Sequence, residues 1–239
     1  MSKPFETELT CLDKTYQWAL KIPIEDLSSF VYASADAPLV TVGSGGSLTA
    51  ANMAALLHQG IGMMSKSVTP LELMSPRKNL RNNCILILTA GGYNSDILTA
   101  FRFAATAEPR HLMALSMRTE SPLATISKQF RYTHFLGLNP PSGKDGFLAT
   151  NSLLGFITIL IRAYKGFFSN RDFSFPNNLP STQEVQKQLG TIAQPLLHKN
   201  TWVVLYGGWG QPPAVDLESK FTEAALNHVQ IADYSNFDH

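Results

Sequence analysis

The chain has 239 residues, 44% of them hydrophobic and 15% charged, with a net charge of +1. That is enough apolar material for a large core, and too even a charge balance for a nucleic-acid or anionic-membrane surface. The opening Met1-Ser-Lys-Pro-Phe-Glu lacks the apolar stretch of a secretory signal. The most hydrophobic segment, 146–161, is too short to span a bilayer and carries Thr150, Asn151, Ser152 and Thr158. Two cysteines, Cys11 and Cys84, are too few and too scattered for a disulfide framework or a zinc site. A cytoplasmic protein with no metal is expected.

From the N-terminus, Leu9, Leu12, Tyr16, Ala19 and Leu20 recur at helical spacing over 6–22, and Pro23 ends that helix. A shorter helix over 24–35 leads to a first strand, 39–42. Residues 47–64 read as a helix with Ser47 as N-cap, and 67–71 as a short strand. A strand over 85–89 is followed by a helix over 94–107, capped by Asn94 or Ser95. Next come a strand over 111–116, a short helix opened by Ser121-Pro122, a strand over 130–138 and a long apolar helix over 146–164. Alternation at this spacing predicts a parallel sheet covered on both faces. The helix over 146–164 is more apolar than one sheet face requires, which points to a homodimer.

The segment 167–182, rich in Asn, Ser and Pro, reads as a linker. After it the alternation restarts, with a helix over 183–197, a strand over 201–206, a Gly207-Gly-Trp-Gly210 turn and a helix over 214–229. One strand and one helix cannot bury their faces unaided, so 183–239 is expected to be the start of a second α/β unit, apparently truncated, after a first domain over 1–166.

Two turns carry the chemistry. Leu39-Val-Thr-Val-Gly-Ser-Gly-Gly-Ser47 and Cys84-Ile-Leu-Ile-Leu-Thr-Ala-Gly-Gly-Tyr-Asn-Ser-Asp96 each run from an apolar strand through glycines into a capped helix. The first turn fits three readings. It can be an anion nest with the Ser44 and Ser47 hydroxyls at a helix N-terminus. It can be a dinucleotide fingerprint with Glu72 downstream, although Leu48 occupies the third glycine position. It can also be a tight turn that caps a helix and nothing more. Two such turns suit a monophosphate held between loops better than a dinucleotide. With no lysine in either turn, a Walker loop is excluded. Histidines 58, 111 and 134 read as structural, and no two have metal-ligand spacing.

Residues 39–164 resemble the SIS (sugar isomerase) domain family. The resemblance rests on Val42-Gly-Ser-Gly-Gly-Ser47, on Leu88-Thr-Ala-Gly-Gly-Tyr-Asn-Ser-Asp96, and on Ser142-Gly-Lys-Asp-Gly-Phe-Leu-Ala-Thr-Asn151. It implies a flavodoxin-like three-layer sandwich with a five-stranded parallel sheet, and a phosphosugar held by Ser44, Ser47, Thr89, Gly91, Asn94 and Ser142 without a cofactor. In the second signature the family's hydroxyls fall at positions 89, 91 and 94. Here only Thr89 keeps one, Asn94 offers its amide, and Gly91 offers backbone alone.

Residues 183–239 resemble the start of a second SIS domain, as in double-SIS isomerases related to glucosamine-6-phosphate synthase. In that isomerase a lysine, a catalytic glutamate three residues on and a histidine sixteen further on share the site. Lys220, Glu223 and His239 hold those intervals. The resemblance implies an aldose–ketose sugar-phosphate isomerase in which the carboxylate moves a proton between adjacent carbons and the imidazole assists ring opening. Residue by residue, Lys220 and Glu223 also fit a solvated surface pair and His239 an exposed terminal side chain. Two other functions stay open: a non-catalytic sugar-phosphate sensor, and a nicotinamide-dependent oxidoreductase.

Overall fold

A computed structural model describes residues 4–75, 80–168 and 174–237. Helices α1 (Phe5–Leu9), α2 (Leu12–Lys21) and α3 (Glu25–Ser34) precede the first strand. Then follow β1 (Leu39–Val42), α4 (Gly46–Gly60), β2 (Ser65–Val68), α5 (Pro70–Met74), β3 (Cys84–Thr89) and α6 (Ser95–Thr106). The unit is completed by β4 (His111–Ser116), α7 (Pro122–Ser127), β5 (Thr133–Gly137) and α8 (Asn151–Tyr164). The five strands form one parallel sheet in the order β2-β1-β3-β4-β5, the flavodoxin-like arrangement.

Burial explains the strand sequences. All six residues of β3 are buried, as expected of a central parallel strand covered on both faces. Leu86, Leu88, Met113 and Leu115 pack on one side with Leu57, Phe156, Ile159 and Leu160 from α4 and α8. Ile85, Ile87, Leu112 and Ala114 pack on the other with Ile97, Phe101 and Leu123 from α6 and α7. Edge strand β2, Ser-Lys-Ser-Val, is polar, which discourages pairing with another chain.

Most apolar residues of α8 are buried inside the chain against α2, α3 and α4, while Leu154, Ile157 and Ile161 stay partly exposed. The helix begins at Asn151 and not at residue 146, because Asp145 accepts hydrogen bonds from the N–H groups of Thr150 (3.2 Å), Asn151 (3.1 Å) and Ser152 (2.9 Å). The predicted helix over 6–22 is two helices broken at Thr10-Cys11. In place of a strand reaching residue 71, Thr69 and Glu72 form a capping box that starts α5 at Pro70.

Beyond the linker lie α9 (Thr182–Leu197), β6 (Thr201–Tyr206), α10 (Gln211–Glu223), β7 (His228–Asp233) and α11 (Tyr234–Phe237). The helix predicted over 214–229 ends at Glu223. Ala225 turns the chain with a φ of +51°, and β7 pairs with β6 in parallel. The second unit thus contains two strands where the sequence pattern suggested one. It docks through α10 on α4, with Phe168 edge-on to Trp209 at 6.5 Å. The linker is fastened to α2 by Tyr16 Oη donating to Pro176 O (2.7 Å) and Gln17 Nε2 donating to Asn177 O (2.5 Å).

His58 is fully buried between α4 and α8. Its Nε2 lies 2.9 Å from Ala37 O, which can only accept, so Nε2 carries the proton and Nδ1 accepts from Tyr164 Oη at 3.1 Å. Burial pushes the imidazole below its ordinary value of 6.5 and the Tyr164 phenol upward. The folded state holds His58 neutral, whereas the unfolded chain takes up a proton as pH falls through 6.5. Stability from this group is therefore present above that pH and is lost below it, by at most about 1.4 kcal/mol per pH unit. Thermal melts between pH 5 and 8 should show Tm falling on the acid side, with a shallower fall in His58→Gln.

Candidate functional site

In sheet order β1 and β3 are neighbours, yet the chain leaves β1 toward β2 and leaves β3 toward β4. This is the topological switch point, where loops at the carboxyl ends of strands diverge and open a crevice. Both glycine turns sit there. They border a single cavity of about 470 Å³, lined by Ser44, Ser47, Thr89, Gly91 and Asn94 among others. A second cavity of about 400 Å³ adjoins it and shares Gly45, Gly46, Ala90, Gly91, Tyr93, Lys144 and Ala149. Its remaining walls include Met117, Arg118, Phe147 and Glu223.

The two turns are built differently. No side chain caps α4, which is preceded by Gly45 with a φ of +55°, a conformation glycine adopts without strain. At α6, Asn94 Oδ1 accepts from the N–H groups of Asp96 (2.9 Å) and Ile97 (3.1 Å), so the amide NH₂ of Asn94 is turned away from the helix. Thr89 Oγ1 accepts from Gly92 N–H (3.2 Å) and keeps its own hydroxyl proton available to donate. Ser47 and Thr89 are both buried at the cavity wall.

The sequence-predicted residues divide as follows. Ser44, Ser47, Thr89, Gly91 and Asn94 come together around the turn cavity. Ser142 borders neither cavity; its successors Gly143 and Lys144 do. Glu223, at the last residue of α10, borders the adjoining cavity and accepts from Ser219 Oγ (3.1 Å). Lys220 borders neither. Its ammonium pairs with Asp216 one turn back, and Asp216 in turn accepts from Thr49 Oγ1 of α4 (3.4 Å). This pair lies at the junction of α10 and α4, away from Glu223's cavity. His239 lies outside the described residues. Tyr93, Arg118, Lys144 and Phe147 also line the site, although none was singled out as a site residue from the sequence. Tyr93 lies in the second signature and Lys144 and Phe147 in the third, whereas Arg118 belongs to none.

Glu72, the acidic residue of the dinucleotide reading, spends its carboxylate on the Thr69 N–H (2.7 Å) in the α5 capping box. The flavodoxin-like strand order also differs from that of a dinucleotide-binding sheet. Among the described residues, no three His, Cys, Asp or Glu side chains form a group that could hold a metal ion. No helix there is long and apolar enough to cross a membrane.

The fold is the flavodoxin-like one shared with SIS-type phosphosugar isomerases of known structure. Tagatose-6-phosphate ketose/aldose isomerase from Escherichia coli superposes with a TM-score of 0.72 at 16% identity, over 98% of this chain and 68% of that one. The C-terminal domain of glucosamine-fructose-6-phosphate aminotransferase from Francisella tularensis gives 0.70 at 12% identity, over 98% and 69%. The NanR protein of Vibrio vulnificus, solved with ManNAc-6P, gives 0.55 at 16% identity, over 81% and 68%. No family model matches the chain, and no curated protein matches it in sequence.

Gly46 is the point of closest approach between the first turn and the loop before α8. A Cβ built on it would lie 2.1 Å from Ala149 Cβ. The helix-propensity gain of alanine, about 1 kcal/mol, is smaller than the overpacking penalty of about 1–3 kcal/mol. Gly46→Ala should therefore lower stability in urea unfolding, and adding Ala149→Gly should restore part of the loss.

Proposed function

We propose that this chain binds a sugar phosphate, with the phosphate in the cavity between the two turns and the sugar in the adjoining one. We further propose that it interconverts aldose and ketose phosphates. The observation that carries the reading is the continuity of the two cavities: hydroxyls of Ser44, Ser47 and Thr89 line one end and the carboxylate of Glu223 lines the other. The phosphate would receive the hydroxyl protons and the Asn94 amide, and would lie at the positive end of α4, which no side chain caps. Glu223 would move the proton between C2 and C1, and His239 would assist ring opening. Lys220 would serve by holding α10 to α4 through Asp216 and Thr49. Ser142 would act through the backbone of its loop. Tyr93 and Phe147, large and exposed at the cavity mouth, support a site covered by a second copy of the chain. A cytoplasmic setting, where sugar phosphates are made and consumed, fits this chemistry. The fold shared with tagatose-6-phosphate ketose/aldose isomerase adds support.

The second reading is a binding module that senses a sugar phosphate without converting it. Two observations favour it. Gly91 removes one of the second turn's hydroxyls, and the fold is also that of NanR, solved with ManNAc-6P.

A thermal-shift screen should show hexose or pentose phosphates raising Tm where the free sugars do not. With the phosphate that shifts most, Glu223→Gln should keep the shift and lower isomerase turnover by about 10²–10⁴-fold. Binding without turnover in the unaltered protein selects the sensor, and an NADH fluorescence titration that saturates selects the oxidoreductase.

A further inference from the structure

We propose that Lys144 is the cation that pairs with the ligand's phosphate, and that Glu8, buried beneath the Lys144 loop, is the residue that positions it; this rests on the sugar-phosphate reading of the site. Lys144 is the only lysine or arginine among the residues that border both cavities. Among the described residues no carboxylate pairs with it. Its neighbour Asp145 is fully engaged elsewhere, accepting from three backbone N–H groups and the Ser152 hydroxyl at the start of α8. The positive charge at the cavity is thus left for a ligand, and an ammonium beside a phosphate makes a charge-assisted hydrogen bond.

The loop that carries this charge has no regular structure of its own between Gly143 and Thr150. It is held from below by a residue far away in the chain. Glu8 of α1 is 1% exposed, and its carboxylate accepts from Gly146 N–H and from Thr150 Oγ1. The Glu8 carbonyl accepts from Asn151 Nδ2 (3.0 Å), and Asn151 Oδ1 accepts from Thr15 Oγ1 of α2 (2.7 Å). A carboxylate is costly to bury unless its oxygens are satisfied, and here the groups that satisfy them belong to the loop. Glu8, through Gly146 and Thr150, and Asp145, through residues 150–152, therefore fix the backbone that immediately follows Lys144. A prefixed loop spares the ordering entropy that a mobile one loses on binding.

Calorimetric titration of the full chain with fructose 6-phosphate tests this, ribose 5-phosphate replacing it if it gives the larger thermal shift. Lys144→Gln should weaken binding roughly tenfold to hundredfold and flatten its dependence on salt. Glu8→Gln should weaken it roughly tenfold, and the double variant should bind no more weakly than Lys144→Gln alone. Thr150→Val, which removes one contact to Glu8 and leaves the carboxylate in place, should reproduce the Glu8 effect in milder form if Glu8→Gln fails to fold. Unchanged affinity in Lys144→Gln overturns the proposal, as do fully additive losses in the double variant. If the unaltered protein binds neither sugar phosphate, the reading of the site fails and this proposal with it; if it binds one and Lys144→Gln binds equally well, only this proposal fails.

Discussion

Everything at the site depends on the divergence of the chain after β1 and β3. Parallel strands need crossovers, and right-handed crossovers to opposite sides of the sheet leave a gap where two neighbouring strands part company. With the order β2-β1-β3-β4-β5, that gap falls between the two strands of this sheet that lead into the Gly43–Ser47 and Thr89–Asn94 turns. The glycines allow backbone to approach the gap closely, and Gly46 against Ala149 shows how little room remains for a side chain. The third wall, the loop before α8, closes over the same gap because α8 packs on α4 and α2. Once the strand order is set, the meeting of three distant segments follows from it.

The second unit reaches this crevice by a different route. Its strands β6 and β7 pair only with each other, and Val203 and Leu205 remain exposed. What ties it to the first unit is α10 on α4, the Asp216–Thr49 contact and the Phe168–Trp209 ring contact. Glu223 therefore stands at the cavity through helix docking and not through the sheet. Its placement rests on a few contacts, whereas that of Thr89 rests on two buried core layers.

Legibility in the sequence followed burial. Strands such as Cys84–Thr89, apolar throughout because both faces are covered, could be read with their order of alternation, and so could the turns that end them. Boundaries set by contacts from outside the element could not. The start of α8 is fixed by Asp145 in the preceding loop, and the end of α10 by the turn at Ala225. β7 was hidden because the apolar residues Ala224, Ala225, Leu226 and Val229 prolong the helical pattern of α10 past its end at Glu223. At the site, the residues of the turn motifs were legible, and Glu223 through its interval from Lys220, while Arg118 and Glu8 were not. Glu8 and Gly146 lie 138 positions apart, and no local pattern can pair them. Lys220 and Glu223, legible as a pair by spacing, differ in their surroundings: Lys220 pairs with Asp216 on the same helix, and Glu223 borders the cavity.

The unequal capping of the two helices gives the crevice a direction. Asn94 covers the positive end of α6 with its own carbonyl oxygen, while the corresponding end of α4 has no side chain over it. The crevice is thus electrically lopsided even though its two turns look alike in sequence. The α4 side presents a helix end that no side chain covers, where negative charge is favoured, and the α6 side presents the directional groups of Thr89 and Asn94. The near-repeat of one motif thus yields two surfaces of different electrical character.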